Sequence, residues 1–147
     1  MLARSSAAYV DGLTATRYRG RADSRAAHEG CNRWIATFAA ACRQAVEEVA
    51  AFEQRVDRIR AQWRKALGPV RRGSAIELLL HVLPGAPVLT VSAAAELIGR
   101  SFQAANEAVG RLEAAGVLRQ INVGRRNRAY EAKAVVDAFA ELERSLS

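Results

Sequence analysis

Aromatic residues are scarce in this chain of 147: four Phe, three Tyr and two Trp. Sheets lean on aromatic and β-branched side chains, whereas the alanine that abounds here favours helix, so the composition favours helix over sheet. Only three prolines occur, Pro69, Pro84 and Pro87, and each falls where a helix must stop. No apolar run approaches the roughly 20 residues that cross a bilayer, which excludes a helical membrane span. No apolar stretch follows Met1-Leu2-Ala3-Arg4, so no secretory signal is expected and a cytoplasmic location is the default.

The chain has two cysteines and two histidines, too few to build most reactive sites. Cys31 and Cys42 are eleven residues apart, which on a helix places them on one face but about 16 Å apart along the axis. A disulfide needs Cα atoms within about 7 Å, so both are expected as reduced core residues. Neither C-x-x-C spacing nor a neighbouring His is present, and no metal site is expected. His81 sits late in a capped helix beside Leu80 and Val82, a structural setting. His28, next to Glu29 in a polar stretch, reads as a surface residue. No G-x-S-x-G, P-loop, dinucleotide fingerprint or H-E-x-x-H appears, and no cofactor is implied.

What the chain does have is positive charge, a net +7, with an isoelectric point near 10.4. That balance suits nucleic acid or another acidic partner. Residues 1–68 carry twelve basic against seven acidic residues, and residues 69–147 carry ten against eight. Between Arg119 and Lys133 five cations face Glu131 alone.

A short helix is read over residues 9–19, weakened by Gly12, and Asp23-Ser24 forms a turn or cap. From Cys31 onward apolar residues recur at spacings of three and four: Trp34/Ile35, Phe38, Cys42, Val46, Val49, Phe52, Val56, Ile59, Trp63, Leu67. That is one stripe of a long helix, with Glu47, Glu48, Gln54, Asp57, Arg58, Arg64 and Lys65 on its solvated side. Val49 to Leu67 is expected to pack in a bundle or against another chain. Gly68-Pro69 ends the helix, and the domain boundary is placed in the linker after it. The expected organisation is residues 1–68 as a helical segment and 74–147 as a second domain.

In that second domain Ser74 and Glu77 have capping-box spacing, and Ile76, Leu79, Leu80 and Leu83 form a buried face. Val88-Leu89 adds a short strand. Thr90 caps a helix holding Ala94, Leu97 and Ile98, and Gly99-Arg100 turns the chain. Ser101 caps a second helix, buried through Ala105, Val109 and Leu112 and ended by Gly116. Residues 117–123 and 129–131 alternate as two strands around Gly124-Arg125-Arg126-Asn127-Arg128. A last helix, Ala134 to Leu146, turns Val135, Phe139 and Leu142 inward. The fold class read from this order is mainly α: a helical segment with a long helix, then a winged helix-turn-helix with a small β-hairpin.

In a helix-turn-helix the first turns of the second helix reach base edges in the major groove. Ser101, Gln103, Asn106 and Arg111 occupy those positions, and Gln, Asn and Arg are types that pair with bases. Arg125, Arg126, Asn127 and Arg128 form the wing tip, where arginines can reach phosphates. Glu107 shares the exposed side and repels phosphate. The same architecture also docks proteins, so fold does not decide between DNA and a protein target.

Two parts of the sequence resemble the Fic family (filamentation induced by cAMP). Tyr9-Val10-Asp11-Gly12-Leu13, Asn32-Arg33-Trp34-Ile35 and Phe38-Ala39-Ala40-Ala41-Cys42 resemble the helices that follow the Fic active-site loop. Leu89-Thr90-Val91 through Ser101, Ala105-Asn106, Leu112, Ala115-Gly116-Val117-Leu118 and Gly124 to Arg128 resemble the winged helix at the C-terminus of bacterial Fic proteins. The abundance of Ala and Arg suits a bacterium of high G+C content. The family transfers AMP from a nucleotide to protein hydroxyls through the motif H-P-F-x-D/E-G-N-G-R, which this chain lacks. None of its catalytic residues carries over. The inhibitory motif S/T-x-x-x-E-G/N is approached by Ser24 to Glu29-Gly30 but is one residue too long.

The resemblance implies a truncated Fic-type protein AMP-transferase, non-catalytic by itself, with a recognition module for protein or DNA. Residues 31–67 would then meet the missing catalytic half or a second copy, and Cys31, Trp34 and Phe38 are candidates for that surface. The alternative is a stand-alone DNA-binding regulator that dimerises through the long helix.

Overall fold

The computed structural model describes residues 6–17, 20–121 and 128–146. Its described residues form six helices and a three-stranded antiparallel sheet, mainly α as expected. In chain order these are α1 (Ser6–Ala15), α2 (Arg25–Leu67), α3 (Ala75–Val82), β1 (Val88–Thr90), α4 (Val91–Ile98), α5 (Phe102–Ala114), β2 (Arg119–Gln120), β3 (Ala129–Glu131) and α6 (Lys133–Leu146). They belong to two compact units, one of Met1–Phe52 with Leu142–Ser147, the other Glu53–Glu141. The division falls inside α2 at Glu53, upstream of the linker after Gly68-Pro69 where the sequence reading placed the boundary.

In the first unit glycines set the geometry. A Cβ added to Gly30 would lie 2.0 Å from the Ala15 carbonyl oxygen, and one on Gly12 would lie 2.6 Å from Trp34 Cε3. Only hydrogen fits at both positions, so α1 and α2 approach to backbone distance there. Gly12 therefore serves α1 as a contact site, although it lowers the helix propensity. Tyr9 meets Trp34 edge-on at 5.3 Å, and Phe38 lies 6.0 Å beyond Trp34. The α2 helix begins at Arg25, ahead of the apolar stripe, because the Ser24 hydroxyl accepts from the Ala27 N–H at 3.3 Å.

The covered line of α2 in this unit is Ala27, Gly30, Trp34, Thr37, Ala41, Ala45, Glu48 and Phe52, which are buried or half-buried. It is rotated away from the stripe of large apolar residues. Cys31 and Cys42 are consequently exposed, a correction to their expected place in the core. Close approach at Gly30 turns the small residues inward and carries both cysteines to the surface.

The second unit has a continuous apolar core. Val56, Ile59 and Trp63 on α2 are buried there, as are Leu79, Leu83, Leu112 and Tyr130. Helices α3, α4 and α5 pack on one another, and α4 follows directly from β1. Hydroxyl caps start all three helices. Ser74 accepts from Glu77 N at 3.3 Å, Thr90 from Ala93 N at 3.2 Å and Ser101 from Ala104 N at 3.3 Å. The Glu77 carboxylate reaches back to the Gly73 N–H, closing the capping box one residue early. Gly99 and Gly116 end α4 and α5 at φ 61° and 71°. Arg100 N then bonds Ala95 O, and Val117 N bonds Leu112 O, so both ends close as Schellman motifs.

Strand β3 lies between β1 and β2. Leu89 pairs with Tyr130, and both are buried. Period-two alternation places Val88, Thr90, Arg119, Ala129 and Glu131 on the other face. Strand β2 begins at Arg119, two residues later than the expected 117–123, whose last two residues lie outside the described ones. Val117 and Leu118 are buried and bond back to Leu112 O, so they finish the helix instead of joining the ladder. Ala132, just before α6, and Val135 and Ala138 within it form the buried line. Phe139, expected inward, is 38% exposed, because the alanines at a spacing of three from Val135 take the inner positions.

Two substitutions on and after α5 should move stability in opposite directions. Gly116→Ala places a Cβ at positive φ with nothing else nearby and should cost about 1–2 kcal/mol. Gly110→Ala, on an open helical surface, should add roughly 0.5–1 kcal/mol. Urea unfolding measures both, and shifts of the same sign would refute the left-handed assignment at Gly116. In the other unit, Gly30→Ala should overpack the α1–α2 crossing by about 1–3 kcal/mol. The expected readout is a red-shifted Trp34 emission in a Trp63→Phe background, and an unchanged spectrum would contradict the close crossing.

Candidate recognition surface

Helix α5 is seated by Ala105, Ala108, Val109 and Leu112, all buried. At about 100° per residue, the direction opposite them passes through Gln103, Glu107, Gly110 and Ala114. The sequence-derived residues Ser101, Gln103, Asn106 and Arg111 are all exposed. They do not share one line. Asn106 and Arg111 flank the outward direction on opposite sides, about 140° apart around the axis. Only Gln103 stands near the centre.

Hydrogen bonds narrow the set further. The Ser101 hydroxyl is engaged as the cap of α5. Gln103 Nε2 donates to Glu107 Oε1 at 3.3 Å, one turn along the outward line. A glutamine held this way presents an amide joined to a carboxylate. The helix carries Glu107 and Glu113 against Arg111 alone, so its exposed charge is slightly negative.

Two exposed apolar residues fall outside the sequence-derived set. Phe102, the first residue of α5, is 59% exposed, and Leu97 on α4 is 50% exposed. Phe102 continues the Ala105, Val109, Leu112 spacing by one turn, so the pattern reads it as inward and only the structure shows it exposed. Leu97 was harder to place, because its neighbour Ile98 satisfies the inward position of α4.

The cations near the wing are unequal. Arg119 pairs across the sheet with Glu131, its register partner. Lys133 bonds Asp137 at 2.6 Å one turn along α6. Arg100, in the turn before α5, donates to Gly73 O at 3.1 Å and ties that turn to the loop ahead of α3. Arg128 is exposed at the start of the returning strand. Arg125, Arg126 and Asn127 lie outside the described residues. The sequence shows five cations in this stretch, but two of them are already neutralised by partners.

Both histidines are exposed, and the His81 carbonyl accepts from Arg60 at 3.3 Å. The Asp23 carboxyl lies below the ordinary carboxylate range, first because Arg21 donates to it, then through a backbone hydrogen bond. Both side chains are solvent-exposed, so this is a surface pair in a turn. Among the described residues no group of three or more His, Cys, Asp or Glu is placed to hold a metal ion, and no helix is long and apolar enough to cross a membrane.

Compared with known proteins, the chain matches no protein-family model, and no curated protein matches it in sequence.

Proposed function

We propose that this chain is the recognition portion of a Fic-type protein AMP-transferase, and that its winged-helix unit docks a protein partner through the outward face of α5. The observation that carries the reading is the character of that face, a Gln103–Glu107 pair with a small acidic excess, bordered on the Asn106 side by the exposed Phe102. Apolar area beside hydrogen-bonding groups suits a protein surface. Carboxylates at the centre of a helix oppose a phosphate-lined groove. Support for the parentage is the two-part likeness to Fic sequences described above. The nucleotide-handling motif is absent from the chain, so the transfer chemistry would reside in another part of the parent protein.

A photo-crosslinking residue in place of Phe102 tests the docking face. A discrete protein adduct from cell extract is expected, identified by mass spectrometry, and the same residue at Phe139 should not yield it. Labelling that is equal from both positions would refute the assignment. The parentage has its own check: the reading frame upstream of Met1 should encode H-P-F-x-D/E-G-N-G-R, and a frame without it removes the Fic reading.

A second reading, duplex DNA as the partner, is favoured by the exposed Arg128 beside a wing whose sequence is Arg-Arg-Asn-Arg. It makes a different forecast. Three or four phosphate contacts would give a log–log salt slope of about −3 in fluorescence anisotropy. Arg128→Ala would then weaken binding to all duplexes alike and make that slope shallower by about 1. The docking reading expects no saturable duplex binding at physiological salt.

A further inference from the structure

Residues 58–72 hold six cations and no acidic residue, so this stretch contributes +6 to a net charge of +7. One of the six is engaged. Arg60 lies 3.8 Å from Asp57 and donates to His81 O at 3.3 Å. The other five, Arg58, Arg64, Lys65, Arg71 and Arg72, are exposed. Arg58 bonds only the Gln54 carbonyl of its own helix, and the remaining four side chains have no ion pair or hydrogen bond to another described residue.

The fold of the second unit displays these five. Helix α2 turns Val56, Ile59 and Trp63 into the core, which points Arg58 and Lys65 away from it on one line, two turns and about 10 Å apart. Arg64 stands on the flank of that line. Past the end of α2, Arg71 O accepts from Ser74 N at 3.1 Å and closes a turn through Arg72 and Gly73. Arg100 holds this loop in place through Gly73 O at 3.1 Å. The acids on either side are already occupied, Asp57 by Arg60 and Glu77 by the Gly73 N–H.

The chemistry of the face selects the partner. No large apolar side chain is exposed between Val49 and Val88. A protein interface is built round apolar and aromatic anchors, and binding in a membrane surface draws on inserted apolar side chains, so this face suits neither. Four of the five cations are arginine, whose planar fork pairs bidentately with phosphate oxygens. We infer that Arg58, Arg64, Lys65, Arg71 and Arg72 form a track for the phosphodiester backbone of a nucleic-acid strand, bound without regard to base sequence. None of them belongs to α5 or to the wing, so the test shares no variant with theirs.

Such contact is weak at physiological salt, and a titration has to begin at low salt. The probe is a fluorescent oligothymidylate of about 20 nucleotides, and five contacts to a single strand give a log–log salt slope of about −3.5 in anisotropy. Arg71→Ala with Arg72→Ala should make the slope shallower by about 1.4, and Arg58→Ala with Lys65→Ala should do the same. All four positions are exposed, so the far-ultraviolet dichroism should not change. Lys133→Ala, at a cation already bonded to Asp137, should leave the slope as it is. Absence of binding at low salt, or a slope that neither pair of substitutions changes, would overturn the proposal. A slope that only one pair changes would overturn the shared track. Equal binding of poly-glutamate, or stronger binding to phosphatidylglycerol vesicles, would overturn the nucleic-acid assignment in favour of an acidic protein or a membrane.

Discussion

Ala105, Ala108, Val109 and Leu112 together fix the rotation of α5 about its own axis, and everything this helix offers a partner follows from that. With these four turned into the core, Gln103, Glu107, Gly110 and Ala114 must point outward, and Asn106 and Arg111 must diverge. The Ser101 cap and the Schellman closure at Gly116 fix where the helix begins and ends. The hydrogen bonds at the termini thereby define which side chains are available, and the apolar seating defines their direction.

Small residues decide the packing throughout. Gly30 brings α2 to the backbone of α1, Ala105 and Ala108 lie in the core under α5, and Ala132 and Ala138 hold the inner side of α6. Where a small residue makes the contact, the larger apolar neighbour is rotated outward. Cys31, Cys42, Phe38 and Phe139 are exposed in this way. Burial counts area removed from water, but the approach of two helices is limited by whatever side chain stands between their backbones. An apolar stripe and a contact line therefore need not coincide.

The charge pattern shows the same separation between inventory and arrangement. A net +7 invites a nucleic-acid reading. Arg119 and Lys133 are engaged by Glu131 and Asp137, and Arg100 is held by the Gly73 carbonyl. Exposed pairs of this kind add little stability, commonly under about 1 kcal/mol. Their larger effect is to withdraw cations from the surface a partner meets. On α5 the balance is then set by Glu107, Arg111 and Glu113.

Much of the secondary structure was legible along the chain because it depends on neighbours in sequence. Ser74, Thr90 and Ser101 each cap a helix through an N–H three residues ahead, and Gly99 and Gly116 supply the positive φ that ends one. The candidate site was legible as a set of exposed residues on the second helix of the motif, yet not as a geometry. The hydrogen bond from Gln103 to Glu107, the pairing of Arg119 with Glu131 and the exposure of Phe102 depend on rotation and register. The sequence by itself determined where helices start and stop and in what order the elements follow, since those choices are made by hydrogen bonds within a turn or two. Only the tertiary structure decided which face of each helix is covered, since that is set by the closest approach of backbones distant in sequence, at residues as inconspicuous as Gly12 and Gly30.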